Sequence, residues 1–380
     1  MNAEGSTSDV IVVGGGVIGL SIAWRAAQRG LRVTVIDPEP GSGASHYAAG
    51  MLAPVTEVHY GEEDLLRLNL ASARRYPSFV AELEELARTS VGYRLCGTLA
   101  IAFDTDDRAA LDDLGKYQVS LGLSAQSLSS RECRALEPFL APSVRGGLLV
   151  EGDHQVDNRR LVEALIAACV RSDVTIRTVP ATEIIVEHDR VVGVDDLRAE
   201  TTVLAVGCWS RELRGLPPDA VPPVRPVKGQ ILRLRDNPAR PLIGRNVRAV
   251  VHGRYIYLAP RESGEIVLGA TMEELGFDQH VTVGAVSEML ADARELLPGV
   301  SEMELVESAA GLRPGSPDNA PMIGPGSLPG LVIATGHYRN GILLTPVTAD
   351  AVAELLTTQE MPADFARFDP RRFAKTEILT

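Results

Sequence analysis

Four cysteines stand among 380 residues, at positions 96, 133, 169 and 208, with no C-x-x-C pair. That scarcity excludes a disulfide framework and a zinc site, and predicts reduced, buried thiols in a cytoplasmic protein. No group of His, Cys, Asp and Glu falls at ligand spacing, so no metal is expected. Positive charge is short: 37 Lys and Arg oppose 50 Asp and Glu, for a net charge of −13. A nucleic-acid partner or an anionic membrane surface would favour a basic face, so neither is expected. Long hydrophobic runs are missing as well. The uncharged apolar stretch Val10 to Trp24 holds four glycines and is too short to span a bilayer. The first residues are polar and lack a basic n-region, so no secretory signal is expected. No repeat or low-complexity tract is visible, and the length suits two domains or one large one.

Glycine is present where it matters. Residues 9–19 read Asp-Val-Ile-Val-Val-Gly-Gly-Gly-Val-Ile-Gly. An apolar run, Val10 to Val13, meets Gly14, Gly16 and Gly19 in G-x-G-x-x-G spacing. An Ala-rich helical stretch, Leu20 to Arg29, follows, and a second strand, Leu31 to Ile36, ends in Asp37. This βαβ unit is suited to a dinucleotide. Gly14 allows the tight turn, Gly16 lets backbone approach a pyrophosphate, and Gly19 lets helix and strand pack closely. The helix N-terminus offers free N–H groups to phosphate, and Asp37 can take a ribose hydroxyl.

Further on, the pattern predicts a helix over 62–88 with a break near Pro77, a strand over 93–103, and a mostly helical stretch over 106–137. A strand over 145–151 precedes a helix from Arg159 to Val170, capped by Asp157. Short strands follow, with a hairpin at His188-Asp189 and a buried strand, 202–206, ending at Gly207. Strand-like runs at 229–235, 248–252, 254–259 and 265–270 predict an antiparallel sheet. A helix over 282–297, strands over 303–309 and 331–335, and a last helix over 341–357 complete the pattern, with a disordered tail from Met361. The expected fold is α/β: a Rossmann-type dinucleotide domain (1–88, 145–220 and 310–380) interleaved with an antiparallel-sheet substrate domain (89–144 and 221–309).

Four segments carry a resemblance. They are Gly43-Ala-Ser-His-Tyr-Ala-Ala-Gly-Met-Leu-Ala-Pro54, Val203-Leu-Ala-Val-Gly-Cys-Trp-Ser210 and Arg225-Pro-Val-Lys-Gly-Gln230. The fourth is Gly311-Leu-Arg-Pro-Gly-Ser-Pro-Asp318 with Gly336-His-Tyr-Arg-Asn-Gly-Ile-Leu-Leu344. With the fingerprint they resemble the D-amino-acid oxidase superfamily of flavoproteins, most closely its glycine oxidase branch, over about residues 9–357.

The resemblance implies FAD and a set of roles. Gly15, Val17 and Ile18 place backbone at the pyrophosphate, and Asp37 and Pro38 hold the adenosine ribose. Ala44, Ser45, Ala49, Gly50 and Met51 line the diphosphate and isoalloxazine; Gly207 faces the cofactor; Glu183 touches adenine through its backbone. His337, Tyr338, Arg339 and Asn340, with Gly341, Ile342 and Leu343, wrap the flavin's pyrimidine edge. No cysteine lies near Arg313 or the last flavin loop, so the FAD is expected to be noncovalent.

At the substrate, the resemblance gives Arg313 the carboxylate, held by two parallel hydrogen bonds. Tyr257 adds a third, with Tyr255 on the same strand face as the alternative donor; Arg339 meets the amine through its backbone carbonyl; Met272 is an apolar wall. Lys228 and His46 read as structural. The implied reaction is oxidative deamination of glycine and small amines or amino acids such as sarcosine and D-alanine. Hydride transfer to flavin gives an imine, then glyoxylate, ammonia and, with molecular oxygen, hydrogen peroxide. The implied context is supply of glycine imine for the thiazole of thiamine. The rival readings are a D-amino-acid dehydrogenase with a quinone acceptor, a non-catalytic flavoprotein subunit, and a flavin domain that trims a tRNA base. A homo-oligomer is left open.

Overall fold

The computed structural model describes residues 8–373. In chain order the first strands are β1 (Ser8–Val13), β2 (Val33–Ile36), β3 (Met51–Leu52), β4 (Thr98–Ala102), β5 (Gln126–Leu128) and β6 (Gly146–Val150). Then come β7 (His154–Gln155), β8 (Thr175–Arg177), β9 (Ile184–Glu187), β10 (Arg190–Val194), β11 (Leu197–Leu204) and β12 (Arg225–Arg235). The last are β13 (Asn246–Val251), β14 (Arg254–Pro260), β15 (Glu265–Gly269), β16 (Glu304–Gly315), β17 (Met322–Pro325) and β18 (Leu331–Thr335). The helices are α1 (Val17–Gln28), α2 (Ala44–Tyr47), α3 (Glu63–Ala87), α4 (Thr105–Ser120), α5 (Ser130–Leu136), α6 (Asn158–Arg171), α7 (Val283–Leu296) and α8 (Gly341–Thr358).

One sheet runs β17-β18-β11-β1-β2-β8, with β10 and β9 continuing from β11. Its centre is parallel: β1 pairs with both β2 and β11, and β11 with β18. Strands buried on both faces read as continuous apolar runs, as Val10–Val13 does. One face carries α1, α3, α6 and α8 around a core that includes Trp24, Phe79, Leu161 and Leu344. The β9–β10 hairpin turns on His188 and Asp189, both at positive φ (51° and 59°), as a two-residue hairpin loop requires.

The second sheet runs β16-β12-β15-β14-β13-β4-β6-β5. Its pairs are antiparallel except β13 with β4, so the expected antiparallel sheet is mixed. α7 packs on it over Leu232, Leu258 and Leu268. Two of its members cut across the domain division read from the sequence. β6 starts at Gly146, inside the 145–220 segment, and β16 runs through residue 310 to Gly315. Pro314 does not end β16, because β16 is the sheet's edge strand and Pro314 faces Pro226, which needs no hydrogen bond from it.

Pro77 does not break α3 either; the helix is continuous from Glu63 to Ala87. Tertiary bonds hold it on either side of the missing N–H. Ser72 Oγ donates to Leu343 O (2.5 Å), Tyr76 Oη to Ile342 O (3.1 Å), and Phe79 and Leu83 are fully buried. The tail is ordered as far as it is described: Phe365 and Phe368 are buried, and Arg372 pairs with Asp318 at 2.9 Å. Residues 374–380 lie outside the described residues. Among the described residues, α8 alone has the length and apolarity of a membrane span, and it is packed into the core against α1 and α3.

Candidate active site

A cavity of about 1440 Å³ runs between the two sheets, from the β1–α1 turn to the open ends of β14 and β16. At its first end Gly14 has φ +106°, and a Cβ there would stand 2.5 Å from Ala205 O. A Cβ on Gly19 would stand 1.8 Å from Gly14 O, so α1 touches the turn backbone to backbone. Gly16 starts α1 with no side chain of its own to cap it, the first turn of α1 carries no acid, and Val17 N meets only a neutral acceptor, Ser45 Oγ, at 3.0 Å. An N-terminus left in this state suits an anion such as a pyrophosphate. Asp37 accepts from Gly15 N (2.6 Å) and Glu39 N (2.8 Å), which fixes its carboxylate at the end of β2 beside Pro38.

The middle of the cavity is lined by Ala44, Ser45, Ala49, Gly50 and Met51. This loop is pinned from below by residues that the sequence reading gave no role. Asn158 Nδ2 donates to Ser45 O (2.8 Å) and His46 O (2.9 Å). Arg261 donates to Ala49 O (2.6 Å), Gln155 Oε1 (2.6 Å) and Val156 O (3.1 Å). Burial pushes the Arg261 guanidinium down to about 10. Gly50, at φ +72°, lies so close that a Cβ would meet Val156 O at 2.0 Å.

Across from this loop lie Gly207, His337, Tyr338, Arg339, Gly341 and Ile342. Tyr338 N donates to Pro314 O (3.0 Å), tying the segment to β16. His337 is buried with only Thr348 Oγ1 at 3.1 Å, and burial pushes its imidazole down to about 3. It is therefore neutral near pH 7.

The other end is rich in arginine. Arg313 projects over Gly229, where a Cβ would come 2.3 Å from its Nη1. That nitrogen donates to Thr271 O (3.1 Å) and Lys228 O (3.4 Å). Among the described residues no carboxylate lies within 4.0 Å of Arg313. The cavity's other arginines are matched: Arg248 pairs with Glu57, Arg254 with Asp292, and Arg339 stands 2.5 Å from His59 Nε2 and 3.7 Å from Glu62. Burial and the Arg339 cation push the His59 imidazole down to about 4. Burial raises the Tyr257 hydroxyl, keeping it a neutral donor. Tyr257 packs over Gly269, and Tyr255 on the same face is mostly exposed at the cavity mouth. Met272 lines the wall and accepts from Tyr338 Oη at 3.0 Å.

Most of the residues expected at the site line this cavity, including Gly14, Gly16, Val17, Ile18, Asp37 and Pro38. Gly15, Gly19, Asn340 and Leu343 stand behind it. Gly15 and Gly19 shape the turn, Asn340 begins α8, and Leu343 is core, its carbonyl taken by Ser72. Glu183 is away from the wall. Its backbone pairs with Asp195 and bridges to Arg214, while Pro180 and Ala181 face the cavity in its place. Lys228 is fully buried, 2.6 Å from Asp278, and off the wall, as a structural lysine should be. His46 lies edge-on to Tyr47 at 5.1 Å, a packing contact. Sequence reading missed Glu57, His59 and Arg248, because nothing local in the sequence links the 56–62 loop to β13.

Residues 9–355 match the family described as FAD dependent oxidoreductase. The chain is 36% identical over 378 residues to the bifunctional protein ThiO/ThiG of Synechocystis sp., covering 98% of this chain and 55% of that protein. It thus spans about half the length of the ThiO/ThiG relatives it matches. It is 34% identical to the glycine oxidase of Geobacillus kaustophilus, over 96% of this chain and 97% of that one. The crystal structure of glycine oxidase from Geobacillus kaustophilus superposes with a TM-score of 0.88 at 31% identity, covering 96% of this chain and 99% of that one. A βαβ turn open to phosphate, a pinned second loop and full-length likeness lead to one conclusion: the chain belongs to the FAD dependent oxidoreductase family.

Proposed function

We propose that this chain is an FAD-dependent oxidase of glycine and small amines or amino acids, sarcosine and D-alanine among them. The observation that carries the reading is Arg313. It is a cavity guanidinium anchored by two backbone carbonyls, with no protein carboxylate within reach among the described residues. Its remaining N–H groups can hold a substrate carboxylate, and the Tyr257 hydroxyl on the neighbouring wall can add a third bond.

The cavity's features fit FAD. The open α1 terminus and Gly14–Ile18 would take the pyrophosphate, Asp37 and Pro38 the ribose, and Ala44–Met51 with His337–Ile342 the flavin. FAD, when bound, supplies the redox step, taking two electrons from the substrate and passing them to molecular oxygen. The protein orients the substrate Cα hydrogen, and the Arg313 cation favours a neutral amine by lowering its pKa. The amine's position beside the backbone carbonyl of Arg339 belongs to the same reading. Water then converts the substrate imine to a 2-oxo acid (glyoxylate from glycine) and ammonia, or methylamine where the substrate is sarcosine.

Noncovalent FAD is supported by Cys208, the cavity's thiol, which burial pushes up to about 12, away from the thiolate that attachment would need. Likeness to ThiO/ThiG proteins supports a place supplying glycine imine for the thiazole of thiamine. Four free cysteines accord with a reducing, cytoplasmic setting.

The test is anaerobic mixing of the yellow holoprotein with glycine, followed by air. Bleaching and recovery with peroxide are expected. Bleaching without recovery in air replaces the oxidase with a dehydrogenase using another acceptor. A flavin bleached by neither glycine, sarcosine nor D-alanine refutes the amine-oxidation reading.

A further inference from the structure

The loop between β3 and α3 brings two acids to the substrate end, and each meets a cavity arginine. Glu57 ion-pairs with Arg248, and Glu62 stands 3.7 Å from Arg339. Arg248 lies directly opposite Tyr257 in the β13–β14 register, so the Glu57–Arg248 pair stands beside that tyrosine on the same face of the sheet. Both side chains are largely shielded, at 15% and 21% exposure.

Glu57 is not free to swing aside. Buried Asp153 accepts from Val55 N (3.2 Å), Thr56 N (2.7 Å) and Thr56 Oγ1 (2.7 Å). Gln118 Nε2 donates to Val55 O (3.0 Å), and Tyr60 stacks on Tyr117 at 4.3 Å. The loop therefore presents a fixed negative charge, and β13 presents a fixed positive one to meet it.

We propose that Glu57 is a specificity-determining residue: by occupying Arg248 it leaves Arg313 as the one unmatched guanidinium at the substrate end among the described residues, and so restricts the site to substrates with a single carboxylate. A second carboxylate near Tyr257 finds Arg248 taken and meets the Glu57 charge at close range, where the dielectric is low. Neutralising Glu57 reverses the selection. It removes the repulsion and releases Arg248, whose planar fork suits a second carboxylate. The inference rests on the proposed amine oxidation and specifies its substrate class: amines with one carboxylate, with N-carboxymethyl amino acids, which carry two, excluded.

The test uses two ethers that cannot be oxidised as amines, so binding is read without turnover. Methoxyacetate mimics N-methylglycine, and oxydiacetate mimics N-carboxymethylglycine. Each is titrated into the holoprotein and followed by perturbation of the flavin absorbance. Wild type should bind methoxyacetate at least about tenfold more tightly than oxydiacetate. Glu57→Gln and Glu57→Ala should narrow or invert that ratio by about tenfold or more. Arg248→Gln, which leaves Glu57 unpaired, should weaken both ligands.

Equal affinities in wild type overturn the proposal, as does an unchanged ratio in flavin-loaded Glu57 variants. If those variants lose flavin, the wild-type ratio and Arg248→Gln decide; tighter oxydiacetate binding by Arg248→Gln overturns it. Methoxyacetate binding with no amine oxidised overturns the amine-oxidase reading alone. Binding of neither ether overturns the carboxylate site, and both readings with it.

Discussion

Arg313→Met is the perturbation that most directly probes the site. The wild-type guanidinium is oriented by Thr271 O at 3.1 Å and Lys228 O at 3.4 Å, and its cavity-facing N–H groups have no protein carboxylate to satisfy them among the described residues. Two hydrogen bonds to a charged group contribute about 1.5–3 kcal/mol each, so their loss should cost about 3–6 kcal/mol of transition-state stabilisation. That converts to a fall in kcat/KM for glycine of roughly 10²- to 10⁴-fold. Arg313→Lys keeps the charge but not the fork, and should fall between the two. The assay is anaerobic stopped-flow bleaching of the flavin across a range of glycine concentrations, with flavin content checked by absorbance. Methylamine, which lacks the carboxylate, serves as the control, and Arg313→Met should lose the parent's preference for glycine over methylamine. Oxidation of glycine by flavin-loaded Arg313→Met within about threefold of the parent rate would remove Arg313 from the site and leave the substrate reading without its anchor.

Arg261→Met should weaken FAD binding by about 100-fold, because it strands three buried acceptors under the flavin loop; titration of the apoprotein with FAD checks this, and unchanged affinity contradicts it. Gly19→Ala puts a Cβ 1.8 Å from Gly14 O, so the βαβ turn must open and the purified protein should be colourless or insoluble; a yellow Gly19→Ala protein refutes the packing argument. His337 has a folded pKa pushed down to about 3 from an ordinary 6.5, so the folded state favours the neutral ring. Its contribution is fully present above pH 6.5 and is lost as pH falls toward 3, with a slope of up to about 1.4 kcal/mol per pH unit. His337→Gln should flatten the fall in thermal stability between about pH 6.5 and 4, and an identical slope in parent and variant counts against it.

What the sequence made legible was local. The turn at Gly14 and the helix–turn contact at Gly19 are set by residues within one βαβ unit, so spacing was enough to place them. The hairpin at His188-Asp189 was readable for the same reason. Assignments that depended on partners distant in the chain fared less well. Pro77 looks like a helix break until α8 supplies Leu343 O and Ile342 O to the flanking side chains. The Gly-Leu-Arg-Pro-Gly motif lies beyond the strand expected over 303–309 and past the expected domain boundary, yet pairing with Arg225–Gly229 makes it strand, which is how Arg313 comes to face the cavity. Glu183 missed the wall by a short distance in sequence, because Pro180 and Ala181 occupy the position facing the cavity. Arg248 carried no signal at all, since its meaning lies in Glu57, on the loop between β3 and α3, 191 residues away in the chain.

The strand order of the first sheet also sets when the cofactor site can exist. β1 and its glycine turn leave the ribosome well before their neighbours in the fold: the wall beside Gly14 is Ala205, and the far wall is His337 to Ile342. At synthesis rates of about 5–20 residues per second the turn waits on the order of tens of seconds for these neighbours. From its own emergence until β18 follows, β11 has no partner at the edge that β18 will cover, an exposed edge that can pair with the wrong chain. FAD therefore has no complete cavity to enter during synthesis. It acts as a ligand of the finished topology, and cofactor supply governs how long the completed chain persists rather than how its folding starts.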